Sequence, residues 1–157
     1  NVSPVEHRAV RLAKKISAGA QFVQTQYCYD IPLLRRFMTA VEDAGLLEQV
    51  FILIGVGPLR TAKTGEWMRK NVPGIHIPDS VIERMKGAKD QTREGLNLCV
   101  DLIQEVRTIK GVSGVHVMAY RQEEAVAEVI DRSGILAGRT PWVPGRDQQI
   151  NEDRKLS

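Results

Sequence analysis

Two periods of hydrophobicity alternate along the chain. Apolar Leu33, Leu34, Phe37, Met38 and Val41 recur at helical spacing after Asp30-Ile31-Pro32, which predicts a helix capped by Asp30 and stopped by Gly45. An earlier helix is expected from Ser3-Pro4-Val5-Glu6, whose hydroxyl, first-turn proline and carboxylate have capping-box spacing, running to Gly19. Between the two, Gln21 to Gln26 reads as a short strand. Val50 to Val56 is a continuous apolar run closed by Gly55-Val56-Gly57-Pro58, the pattern of a strand buried on both faces. Helices are expected over 60–71, 79–87 and 90–109, with Asp79 and Asp90 as N-caps, then a third strand over 114–119 and a helix over 122–133. From Gly134 the periodicity fades into Gly, Pro, Arg, Asp and Gln, so residues 135–157 read as an extended or mobile tail in which Trp142 could still dock.

Strands alternating with helices specify an α/β unit with parallel strands. Three strands fall short of a closed (βα)8 barrel, which takes about 250 residues. The 157 residues, 43% hydrophobic and 26% charged, have the composition of one ordinary domain. A formal charge of +3, with bases interleaved among acids, makes nucleic acid a poor partner. No apolar stretch approaches the roughly 20 residues of a membrane span. The chain opens on Asn1, with no basic segment before an apolar run, so a signal peptide is not expected and the start reads as an internal point of a longer chain. Cys28 and Cys99 lie far apart in apolar surroundings, which suits reduced cytoplasmic thiols and neither a disulfide framework nor a zinc site.

The stretch from Lys15 to Asp30 places a lysine, an Ala18-Gly19-Ala20 turn, a strand, Thr25-Gln26 and a closing acid in order. Gly55 and Pro58 follow the next strand, Ile77-Pro78 precedes a helix, and Gly114-Val115-His116 opens the last strand. This ordered series, over about residues 5 to 134, resembles the methylenetetrahydrofolate reductase family. The resemblance implies that residues 1–134 are the C-terminal portion of a (βα)8 TIM barrel, its last three parallel strands with flanking helices. It also implies FAD as cofactor, NADH or NADPH as hydride donor, and reduction of 5,10-methylenetetrahydrofolate to 5-methyltetrahydrofolate in one-carbon metabolism. A homo-oligomer or an accessory subunit is implied as well.

By the same resemblance Gln26 contacts the pterin, whose amide-like edge an amide side chain can match by donating and accepting at once. The bland alternative is a strand-end glutamine bonded to a neighbouring loop. Lys15 and Arg11 fall where the family binds the flavin, and an ammonium on a last helical turn suits a diphosphate, although the helix dipole alone would also favour a cation there. The family's acid and amide on this helix are replaced by Arg8 and Arg11, which cannot make the same ribityl contacts. Thr64 and Met68 stand where better-known members place a glutamine and a phenylalanine against folate and nicotinamide. Met68 can cover an aromatic ring through its thioether, and Trp67 beside it is either a stacking group or, as is commoner for a barrel helix, core. Tyr120 and Arg121 could reach the pocket from the last strand.

Gly55-Val56-Gly57-Pro58 lacks the full dinucleotide fingerprint, so its glycines are read as allowing close backbone approach at the barrel mouth. His116 is read as a satisfied structural histidine at the bottom of the last strand. No catalytic residue is expected in this stretch, because the acid that opens the folate ring lies on the family's first strand. Two other readings stand beside the reductase. One is a non-catalytic half-barrel that pairs with another chain through its open sheet edges. The other is a different flavin- or phosphate-binding barrel enzyme, for which the Thr25-Gln26 match would be accidental.

Overall fold

The computed structural model describes residues 5–119 and 122–139. Its elements, in order, are α1 (Val5–Ser17), β1 (Phe22–Tyr27), α2 (Ile31–Asp43), a short 3-10 turn (Leu47–Gln49), β2 (Phe51–Val56), α3 (Ala62–Asn71), α4 (Asp79–Gly87), α5 (Gln91–Val106), β3 (Val112–Val117) and α6 (Glu123–Ser133). The strands form one parallel sheet in the order β1-β2-β3. This is the α/β arrangement of three parallel strands with flanking helices expected of part of a (βα)8 barrel. The Ser3 cap, Tyr120, Arg121 and Trp142 lie outside the described residues, as does most of the 135–157 segment.

Local chemistry fixes the ends of these elements. Asp30 accepts a hydrogen bond from the Leu33 N–H and Asp90 one from Arg93, so both are N-caps as their spacing predicts. Asp79 is not a cap. Pro78 occupies that position, and the Asp79 carboxylate instead pairs with Arg69. The chain turns after α2 at Gly45, whose φ of +67° is cheap only without a Cβ. α5 ends at Val106, earlier than its periodicity suggests, and Gly111, at φ +83°, starts β3 at Val112.

Packing divides the sheet into two unlike faces. Residues in register across a parallel pair share a face. Ile52, Ile54 and Val56 of β2 are at most 1% exposed and pack with Leu34, Met38 and Val41 of α2 and Cys99, Ile103 and Val106 of α5. The opposite face carries Phe22 paired with Phe51, which are 60% and 68% exposed. α5 is buried on two sides, leaving Arg93, Asp101, Gln104 and Glu105 exposed. Its Leu98 and Leu102 enter a second core with Ile75, Ile77, Ile82 and Met85 around α3 and α4. Gly95 allows that seat, since a Cβ there would run into the Leu59 carbonyl oxygen.

Candidate functional site

The C-terminal ends of parallel strands are where such folds build sites, because the loops that follow are free to vary. β1 ends in an irregular register between Gln24 and Tyr27. Thr25 causes it: its Oγ1 accepts a hydrogen bond from the Gly55 N–H at 2.8 Å, a place a strand carbonyl would normally take. Beyond the irregularity the chain resumes pairing, with the Cys28 N–H donating to the Gly55 carbonyl at 2.9 Å. Gln26 is left exposed, on the same alternation as Phe22 and Gln24, with its Oε1 accepting, among the described residues, from the Tyr27 N–H at 3.2 Å.

A cavity of about 260 Å³ wraps the free edge of β1. Gln24, Gln26 and Cys28 line it from the strand and its extension, Arg8, Arg11 and Lys15 from α1, and Leu33, Leu34 and Phe37 from α2. The three cations follow one another at spacings of three and four residues, which places them on one face of α1. Since α1 leads into the start of β1, Lys15 sits at the far end of the cavity and Arg8 about 10 Å along the helix axis, toward the mouth. Arg8 lies close enough to Cys28 for its charge to act on the thiol.

Gly74 and His76 close the mouth. His76 bridges in parallel to Cys28, and its Nδ1 lies 2.7 Å from the Asp30 carboxylate. Asp30 therefore serves twice, capping α2 through one oxygen and holding the loop between α3 and α4 through the other. Burial pushes the Cys28 thiol up, against the opposing pull of Thr25 and Arg8, so it lines the cavity as a neutral group. Behind it Tyr27 and Tyr29 stack at 5.8 Å between ring centroids, with the Tyr29 hydroxyl donating to the Gly57 carbonyl at 3.0 Å. That stack stiffens the strand end from which Gln26 projects.

The structure thus brings Gln26, Arg11 and Lys15 to one cavity. Thr64 and Met68 are elsewhere. Thr64 sits in the first turn of α3 with its hydroxyl 3.0 Å from that of Thr61, and Met68 packs against the second core beside Val72. Trp67 is not core; it is 61% exposed. His116 is not at the bottom of β3 either. It is the fifth of six residues, paired with Gly55, and its buried Nδ1 has no hydrogen-bond partner among the described residues. The strand starts two residues before the predicted Gly114, which moves His116 toward the mouth. Gly55 and Gly57 do serve close approach: a Cβ at Gly55 would lie 2.6 Å from the Met118 methyl and 2.7 Å from the Gln26 carbonyl oxygen. The place of Cys28 in the cavity wall, His76 and the Asp30–His76 pair went unread in the sequence. The alternation of Ile75, His76 and Ile77 was the one available signal.

Both cysteines are free. Among the described residues no helix is long and apolar enough to cross a membrane, and no group of His, Cys, Asp or Glu could hold a metal ion.

Known proteins resemble this chain in fold and in sequence. In solved structures, a protein from Clostridium thermocellum described as binding two copies of 5-methyl-5,6,7,8-tetrahydrofolic acid matches with a TM-score of 0.59 at 17% identity, over 80% of this chain and 46% of that one. In sequence, methylenetetrahydrofolate reductase 2 of Schizosaccharomyces pombe is 27% identical over 153 residues, covering 92% of this chain and 23% of that protein. Methylenetetrahydrofolate reductase 2 of Saccharomyces cerevisiae is 29% identical over 133 residues, covering 80% and 21%. The chain therefore spans less than a quarter of the length of these relatives. The family model for methylenetetrahydrofolate reductase matches residues 2–134, from α1 through α6, and the chain belongs to that family.

Proposed function

We propose that this chain forms the flavin- and folate-facing C-terminal part of a methylenetetrahydrofolate reductase that reduces 5,10-methylenetetrahydrofolate to 5-methyltetrahydrofolate. The observation that carries the reading is the single cavity shared by Gln26, Arg11 and Lys15. An amide on the strand and a row of cations along α1 suit a ligand pair with a polar heterocycle and a diphosphate.

The cavity's donor set fits FAD in chemistry and in part in size. Arg11 and Lys15 would hold the diphosphate, and Gln24 and Gln26 offer amides to ring edges. About 260 Å³ is somewhat less than the roughly 300–1,000 Å³ of sites that enclose a whole drug-sized ligand, so the remaining wall comes from residues outside this sheet. When bound, the flavin supplies the acceptance and return of two electrons, with NADH or NADPH as donor. The protein's part is to orient and to exclude water. Gln26 holds the pterin edge, and Phe37, Leu33 and Leu34 keep the cavity floor apolar. Thr64 and Met68, on α3, would meet the folate only outside this cavity. In this reading the acid that protonates the opening folate ring is none of the residues lining the cavity, and the neutral, unpaired thiols suit a reducing cytoplasm.

The test is flavin content with folate turnover. Purified protein should retain FAD, and Lys15→Ala and Arg11→Ala should each lower its occupancy, more steeply as salt is raised because charge contacts are screened. Occupancy unchanged at every salt concentration would return both residues to ordinary helix cations. A second reading, a half-barrel that serves only to pair with another chain, is favoured by the exposed Phe22 and Phe51. It predicts assembly without flavin, so the same occupancy measurement separates the two.

A further inference from the structure

We propose that Thr25 is a positioning residue: its hydroxyl builds a bulge in β1 that frees the Tyr27 N–H to hold the Gln26 oxygen, so that Gln26 meets its ligand through its amide N–H donors. The inference rests on the reading of Gln26 as the folate contact and deepens it, naming the group that aims the amide and the atoms it presents. The strand ladder carries it. The Phe51 N–H bonds to the Gln21 carbonyl, and in a parallel pair this pattern repeats at every second residue. Continued along β1, it would send the Gly55 N–H to the Thr25 carbonyl and the Tyr27 N–H to the Gly55 carbonyl. Neither bond forms. Thr25 Oγ1 takes the Gly55 N–H at 2.8 Å, and the Gly55 carbonyl receives the Cys28 N–H instead. From Gln24 to Tyr27, β1 thus advances one residue more than β2 does from Leu53 to Gly55.

The displaced groups find local partners. Thr25 Oγ1 also donates to the Gln26 carbonyl at 2.9 Å, so the hydroxyl works in both directions. The Tyr27 N–H, left out of the ladder, goes to Gln26 Oε1 at 3.2 Å. Because that partner is a donor, the atom facing it must be the oxygen, which fixes the orientation of the amide. The Nε2 hydrogens remain for a ligand, and they match an acceptor on its edge, either a carbonyl oxygen or an unprotonated ring nitrogen. Gly55 admits the bulge: a Cβ there would lie 2.7 Å from the carbonyl oxygens of both Thr25 and Gln26. Bulges beside a site commonly re-aim a side chain in this way.

The experiment titrates the protein with 5-methyltetrahydrofolate by calorimetry. Thr25→Val, which keeps the shape and loses the hydroxyl, should weaken binding about tenfold, while Thr25→Ser should stay within about twofold of the parent. Gln26→Glu, which keeps an oxygen for the Tyr27 N–H but has no amide hydrogens, should lose as much as Gln26→Leu. With Thr25→Val and Gln26→Leu combined, the loss should be no greater than in Gln26→Leu alone, since Thr25 acts through Gln26. Losses that multiply, or parent-strength binding in Thr25→Val or Gln26→Glu, would overturn the inference while leaving Gln26 a folate contact. Amide exchange decides the case in which Thr25→Val does not fold: the Tyr27 N–H should exchange faster in Gln26→Leu than in the parent, and equal rates would also overturn the inference. A parent that binds no folate, or parent-strength binding in Gln26→Leu, would instead remove the folate reading on which the inference rests.

Discussion

The two faces of the sheet are built on opposite rules. On one, Ile52, Ile54 and Val56 meet α2 and α5 with essentially no exposure, and that side contains most of the core. On the other, Phe22 and Phe51 lie side by side and open, while Gln24 and Gln26 project along the same alternation. Parallel sheets ordinarily have both faces covered, since their strands carry apolar residues on each side. The closed face is therefore what folds this unit, and the open face, with the free edge of β1, is where we propose that it meets ligand.

Substitutions on the closed face should cost most. Ile54→Ala removes a fully buried side chain at the centre of the sheet and should destabilise by about 2–5 kcal/mol, read as a shift in denaturant midpoint. Gly95→Ala gains helix propensity but drives a methyl into the Leu59 backbone, and the net loss should be about 1–3 kcal/mol in the same assay. A gain in stability there would show that α5 can slide, and the packing argument would fail.

A pH scan sharpens the same contrast. Burial pushes the Cys99 thiol up to about 12 from an ordinary 9.0. The folded state thus binds the proton more tightly than the unfolded one between those values. The contribution is fully present below pH 9.0 and is lost as pH rises, by at most about 1.4 kcal/mol per unit, toward 12. Cys99→Ala should flatten that slope. A parent and mutant with parallel alkaline stability curves would mean that the thiol is not sealed in the core. The smallest effect belongs to the open face: Phe51→Ser should change stability by no more than about 0.5 kcal/mol while reducing self-association in sedimentation.

Much of this architecture is legible in the residues. The continuous apolar run before Gly55 marked β2 to within one residue, and the Asp30 and Asp90 caps followed from short polar side chains placed just before helical periodicity. What failed depended on contacts between distant segments. Asp79 has the right residue type for a cap, but Pro78 precedes it with the required extended backbone, and Arg69 from α3 takes its carboxylate. His116 was misplaced because Gly111, not Gly114, ends the preceding turn. The grouping of Gln26 with Arg8, Arg11 and Lys15 is beyond any periodicity, since it requires α1 to lie alongside the edge of β1. Only the ordered family resemblance pointed to that pairing before the structure did.

The central claim is that Gln26, on the open side at the end of β1, recognises the folate. Stopped-flow measurement of the two half-reactions in Gln26→Leu tests it most directly. Loss of the amide leaves a polar substrate edge unpaired, so transfer from reduced flavin to folate should weaken by about 1–3 kcal/mol in transition-state stabilisation. Reduction of the flavin by the nicotinamide should suffer less. Near-parent rates in both half-reactions would contradict the account and leave Gln26 as a strand-end residue bonded to its own backbone.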